Sequence, residues 1–167
     1  MKIINMVADI FIMKIKTGNI MNKFTTLLIT LSLFAGSAIA AEMTLYKSPY
    51  CGCCKAWAKH VEKAGFDIKV IEQANNDTQH QAYGITPDLA SCHTAIIEGY
   101  VIEGHVPVAD IQRLLADKPA ITGLSVPGMP ASSPGMDVPN NTDPYQVIAF
   151  SQNGEKSVYS EYNYPKK

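Results

Sequence analysis

The chain has 167 residues, 47% of them apolar and 17% charged, with a formal net charge of −1. So apolar a composition excludes a disordered polyelectrolyte, and near-neutrality excludes a nucleic-acid binder that relies on counterion release. The length predicts one compact domain.

The segment from Met21 is set aside first. Lys23 supplies a positive n-region, residues Leu27 to Phe34 an apolar h-region, and Ala38-Ile39-Ala40 a small-residue cleavage pattern. The apolar core is short against the roughly 20 residues of a membrane-spanning helix. Residues 1–40 therefore read as a presequence with a signal peptide that starts at Met21 and is cleaved after Ala40. No cysteine stands at the cleavage point to take a lipid. The remaining 127 residues hold ten basic and 14 acidic side chains, a net charge of −4, with all four cysteines and all four histidines. The expectation is a periplasmic protein with no membrane anchor after cleavage and no nucleic-acid partner. Its length suffices to bury a core without disulfide staples, which leaves the cysteines free for chemistry.

In chain order, Glu42 to Lys47 reads as a strand stopped by Ser48-Pro49. A helix follows over Cys54 to Ala64, with Ala56, Trp57, His60, Val61 and Ala64 on one face and Gly65 as its C-terminal cap. Asp67 to Ile71 is β-branched and reads as a second strand. Asp77 is placed to cap a short helix that runs to Tyr83 and stops at Gly84. His93 to Ile97 and Tyr100 to Glu103 form a hairpin around Glu98-Gly99. Pro107 opens a third helix through Leu115, ended by Pro119. Residues 119–144 are too rich in Pro and Gly to form an element. Tyr145 to Ser151 and Ser157 to Tyr162 flank Asn153-Gly154, a strong hairpin signal.

The order βαβαββα is that of an α/β, thioredoxin-like fold. Here the fold spans residues 41–118, with a Pro/Gly/Met loop (119–144) packed on it and an added C-terminal β-hairpin and tail (145–167). In that layout a cysteine motif sits between the first strand and the first helix, where Cys51-Gly52-Cys53-Cys54 stands. Three thiols within four residues are hard to explain as packing, although any one alone would pass as a small core residue. At a helix N-terminus the dipole and free N–H groups favour thiolate, which is both a nucleophile and a soft-metal ligand. The loop before the third strand packs against this motif and ordinarily ends in a cis-proline. In this chain it reads Ser91-Cys92-His93-Thr94, which brings a fourth thiol toward the cluster.

Three readings of the thiols stay open on residue chemistry. The first is a Cu(I) site, since soft Cu(I) accepts bridging thiolates. The second is thiol–disulfide exchange by Cys51 and Cys54, and the third is a pair of structural disulfides. Zinc is disfavoured because adjacent cysteines rarely point at one ion and there are no two separated ligand pairs. Met129 and Met136, set among Gly and Pro, offer thioethers as further soft donors, or else pin the loop to the core. His93 stands beside Cys92 and is a candidate donor. His105 precedes a helix and can equally bond backbone there. His60 and His80 read as structural or solvated, and Trp57 as core. Tyr50 stands next to Cys51, where it could shield the site.

The chain resembles the CopG-type family of periplasmic copper-resistance proteins. The resemblance rests on Lys47-Ser48-Pro49-Tyr50-Cys51-Gly52-Cys53-Cys54 with Trp57, on Ser91-Cys92-His93-Thr94, and on Tyr100-Val101-Ile102-Glu103-Gly104-His105-Val106-Pro107. It continues over Gly123 to Pro130 and Ser133-Pro134-Gly135-Met136, so that it covers nearly all of Met43 to Tyr162. It implies a thioredoxin-like fold and copper held by Cys51, Cys53, Cys54 and Cys92 in copper tolerance. It also implies a thiol–copper redox activity and other periplasmic copper-handling proteins as partners. His93, His105, Met129 and Met136 match the family's motifs as additional candidates.

Overall fold

The structure is a computed structural model, and it describes residues 41–136 and 138–165. The presequence reading, with its start at Met21 and cleavage after Ala40, lies outside the described residues. Among the described residues no helix is long and apolar enough to cross a membrane.

Seven strands and three helices follow one another as β1 (Glu42–Lys47), α1 (Gly52–Lys63), β2 (Asp67–Glu72), α2 (Asp77–Tyr83), β3 (His93–Ile97) and β4 (Tyr100–Glu103). Then come α3 (Val108–Asp117), β5 (Gly123–Ser125), β6 (Tyr145–Phe150) and β7 (Lys156–Tyr162). The strands form a single sheet in the order β2-β1-β3-β4-β5-β6-β7. β1 runs parallel to β2 and antiparallel to β3, and β3 is antiparallel to β4. The first four strands and three helices are thus arranged as a thioredoxin-like layout requires, and the fold class is the expected mixed α/β.

Side-chain alternation along the strands sorts the core onto the two faces of the sheet. Met43, Leu45, Ala95, Ile97, Ile102 and Leu124 face α1 and α3, where Trp57, Val61, Ile111 and Leu114 meet them, all essentially without exposure. On the other face Val101 and Phe150 pack with Ile85 and Leu89, from the segment after α2. The α1 face is turned from the one read in the sequence: Cys54, Trp57, Ala58 and Val61 are buried, whereas His60 is exposed. The helix also starts earlier, because the Cys51 sulfur accepts the Cys54 N–H at 3.3 Å and caps it.

Local signals elsewhere resolve into specific turns. Glu98 and Gly99 both have positive φ, 47° and 85°, as a two-residue β-hairpin loop demands. Asn76, not Asp77, precedes α2, and it makes no side-chain capping bond. Gly154 (φ 88°) donates its N–H to the Ser151 carbonyl, so the Asn153-Gly154 loop is longer than a two-residue turn. The added C-terminal hairpin β6–β7 extends the same sheet. β5, hidden inside the Pro/Gly stretch, pairs parallel with β4 and antiparallel with β6, and so carries the sheet on into the hairpin.

Candidate functional site, a cluster of thiols and imidazoles

The site lies where the β1–α1 loop meets the start of β3. Cys51 caps α1, and Cys51 and Cys54 are joined in a disulfide with Cα atoms 5.4 Å apart. Cys53 and Cys92 are free thiols, each half-buried. Cys53 Sγ lies 3.5 Å from Cys51 Sγ, and Cys54 Sγ lies 3.6 Å from the Cys92 carbonyl oxygen. All four sulfurs fall within 4.8 Å of one another. The expected placement of Cys92 against the Cys51–Cys54 loop is therefore what the fold produces.

A second group shares two of those sulfurs. One donor atom from each of Cys54, Cys92, His93 and His105 also fits within 4.8 Å. His105 is fully buried, and its Nδ1 donates to the Pro134 carbonyl at 2.7 Å. That bond fixes the neutral tautomer and leaves the Nε2 lone pair 3.1 Å from Cys92 Sγ. His93, also fully buried, lies tilted against Trp57 at 4.4 Å and His105 at 5.2 Å between ring centroids. Its Nδ1 is 3.5 Å from Cys92 Sγ, while its Nε2 has no hydrogen-bond partner among the described residues. A buried polar nitrogen without a partner is uncommon and costs free energy, and such an atom is available to a ligand.

Burial dominates the electrostatics. It pushes the Cys92 thiol up to about 12, helped by the neighbouring Cys53, so Cys92 is protonated at neutral pH and donates S–H to His105 Nε2. Burial, then His105 and Lys47, hold His93 well below the ordinary histidine range. Burial lowers His105 as well, against the opposing pull of the Pro134 carbonyl. Both imidazoles are neutral near pH 7, the state in which a histidine can ligate a metal.

The Pro/Gly loop closes over this group from both sides. The Ser91 hydroxyl donates to the Gly128 carbonyl, and Gly128 N–H donates to the Ala90 carbonyl at 3.0 Å. At its other end Gly135 adopts φ 84°, and a Cβ there would lie 2.5 Å from the backbone nitrogen of Trp57. Only glycine permits that approach. Met129 and Met136 each adjoin one of these contact points, Met129 being 56% exposed and Met136 half-buried. His60 stays on the exposed side of α1, away from its buried face. His80 takes the structural of its two expected roles: it reaches Glu103 at 3.1 Å. Tyr50 is 95% exposed and covers no thiol.

Two charged residues of this region escaped the sequence reading. Lys47 is almost fully buried, and its Nζ donates to the Ser48 carbonyl at 3.0 Å and to Glu72 at 3.2 Å. Glu103 is fully buried behind the Cys92 segment, where it accepts from Ser91 N–H, Thr94 Oγ1 and His80. A lone acid among Val101 and Ile102 in a short strand was the signal for it.

Fold and site together define a mixed α/β domain with a cysteine cluster able to hold metal at the head of its first helix. A family described as "Protein of unknown function, DUF411" matches residues 89–136. Two solved structures, "Copper resistance protein copG", Form 1 and Form 2, each superpose with a TM-score of 0.69 at 39% sequence identity. Each alignment covers 74% of this chain and 98% of the other. Among curated proteins none gives a significant match. The chain belongs to the CopG-type copper-resistance family. Family and cysteine cluster together support a copper-related role.

Proposed function

We propose that this protein is an exported, periplasmic copper-binding protein that holds Cu(I) on the clustered thiolates of Cys51, Cys53, Cys54 and Cys92, for sequestration and resistance. The observation that carries the reading is the convergence of four sulfurs within 4.8 Å on a site open at the Cys51–Cys54 loop. Soft thiolate donors suit Cu(I), and sulfurs this close can bridge more than one ion. His93 and His105 extend the donor set on its buried side, and Met129 and Met136 lie in the loop that covers it. The leader-like segment ahead of Ala41 supports export, since its n-region, apolar core and cleavage pattern fit that role.

Taking up copper on all four sulfurs requires that the Cys51–Cys54 disulfide first be opened by two electrons. Two Cu(I) ions that leave as Cu(II) would supply that pair, which gives the site a balanced thiol–copper redox step. Bound Cu(I) would displace the Cys92 proton, so this protein binds copper with release of protons.

The test is an anaerobic titration of the reduced protein with Cu(I) against a strong competing chelator, in the parent and in Cys92→Ser. Tight binding with a lower metal-to-protein ratio in the variant is the expected result, and an unchanged ratio removes Cys92 from the site. A second reading, thiol–disulfide oxidoreductase, is favoured by one observation, the Cys51–Cys54 disulfide at a helix N-terminus. It requires turnover of a disulfide substrate without copper, lost in Cys51→Ser and kept in Cys53→Ser.

A further inference from the structure

Among the described residues Glu103 is the one buried carboxylate beside the thiol cluster, and its bonds bracket the dipeptide that carries two of the cluster's donors. Oε1 accepts the backbone N–H of Ser91 at 2.7 Å, on one side of Cys92-His93. Oε2 accepts the Thr94 hydroxyl at 2.7 Å, on the other side. Among the described residues Glu103 is the side chain that bonds both flanks of the pair. His80 of α2 adds a third contact, at 3.1 Å to Oε1.

The backbone around the carboxylate is built to bring it there. Gly104 N–H donates to the His93 carbonyl at 2.9 Å, and Val126 N–H to the Glu103 carbonyl at 3.0 Å. Gly104 has φ 71°, and a Cβ on it would collide with the Ser91 side chain and lie 2.7 Å from the Val126 carbonyl. The Ser91 segment is therefore pressed against β4 directly above the carboxylate. Burial raises the Glu103 carboxyl, while its three donors oppose that rise. A fully buried acid is expensive to keep, and an apolar residue in β4 would fill the space at less cost.

We propose that Glu103 is a positioning residue of the thiol site: by gripping Ser91 and Thr94 it holds Cys92 toward Cys53, Cys54 and His105. The consequence for copper rests on the copper-binding reading above, whereas the geometric claim does not. Groups that orient ligands from outside the ligand shell commonly contribute about 10–100-fold in metal affinity.

The test uses Glu103→Leu, which keeps much of the bulk but removes both acceptor positions. Thr94→Val removes one flank alone and serves if Glu103→Leu does not fold. His80→Ala removes the α2 contact alone. The first readout is the alkylation rate of Cys92 relative to Cys53 in the reduced, metal-free protein, by mass spectrometry of the labelled peptides. The second is Cu(I) affinity in each variant, alone and combined with Cys92→Ser.

Glu103→Leu and Thr94→Val are expected to raise the relative Cys92 alkylation rate and to lower Cu(I) affinity by about 10–100-fold. His80→Ala should leave the alkylation ratio near parental. In the Cys92→Ser background the further loss of affinity should vanish, which a general loosening of the fold would not produce. Unchanged Cys92 alkylation in a folded Glu103→Leu protein overturns the proposal, and Glu103 is then a staple between α2 and the sheet. An equal loss of affinity with and without Cys92 overturns it too. A parent that takes up no copper while Glu103→Leu still frees Cys92 sinks the copper reading and leaves the positioning role standing.

Discussion

Two polar clusters are buried in this fold, one at the head of α1 and one between α3 and β7, and they are built on opposite plans. At the second, Asp110 of α3 is 3% exposed and accepts from Arg113 at 3.0 Å, Ser160 at 2.5 Å and Tyr162 at 2.8 Å. Arg113 also donates to the Tyr159 carbonyl at 3.0 Å and lies 4.0 Å over the Tyr159 ring. The carboxylate is fully satisfied by donors that keep their protons at every ordinary pH. Among the described residues the Tyr159 hydroxyl lacks a hydrogen-bond partner, yet it is one neutral oxygen that takes no part in the bonds to Asp110. At the first cluster the unsatisfied atom is the Nε2 of a neutral histidine whose Nδ1 faces the free Cys92 thiol and whose ring lies beside a second neutral histidine. Saturated polar groups hold structure, whereas donors left with open valence in a buried, soft-ligand environment mark where a ligand goes.

This contrast predicts that the two clusters respond to substitution in opposite currencies. Asp110→Ala strands Arg113, Ser160 and Tyr162 without their acceptor and should cost about 1–3 kcal/mol of stability, with Arg113 partly rescued by solvent. Its copper stoichiometry should match the parent's. Denaturant unfolding together with the copper titration checks both halves, and a copper loss in Asp110→Ala would break the contrast.

Acid should act on the other cluster. His93 and His105 are held below the ordinary histidine value near 6.5, so below that pH the unfolded chain binds protons that the fold refuses. Stability of the metal-free protein is then present above about pH 6.5 and is lost as pH falls below it, by up to about 1.4 kcal/mol per pH unit for each histidine. The raised carboxyl of Glu103 works in the opposite direction, which is why the comparison is made with His93→Gln. Melting temperature followed from pH 7.5 down to about 5 should fall less steeply in that variant than in the parent. Parallel curves would place the acid sensitivity elsewhere.

The smallest effect on stability is expected where the effect on copper is large. Cys92→Ser keeps a donor facing His105 Nε2 and should change unfolding free energy by less than about 1 kcal/mol. A larger loss would mean that Cys92 is part of the structural frame.

Much of this was legible in the sequence because it was local. β1, α2, β3 and β4 fall on the expected residues, since Ser-Pro, Gly84 and Glu98-Gly99 punctuate them in ways that backbone sterics enforce. The four thiols could be brought together because element order alone sets the Ser91–Thr94 loop against the first helix. What escaped was set by tertiary contact. β5 is three residues long, too short to show a period, and exists because β4 and β6 both offer it an edge. His60 was placed on the buried face of α1 because helical spacing alone cannot tell which side of Trp57 the sheet takes. The covalent state of Cys51 and Cys54, the tautomer that Pro134 imposes on His105 and the bracket formed by Glu103 depend on distances between residues far apart in the chain.

The central claim is that copper sits on the clustered cysteine sulfurs. X-ray absorption at the copper edge of the anaerobically loaded protein tests it most directly. The account predicts a Cu(I) edge and a sulfur-dominated first shell, reduced in sulfur scattering by Cys92→Ser. A first shell of nitrogen and oxygen alone, unchanged in that variant, would contradict it.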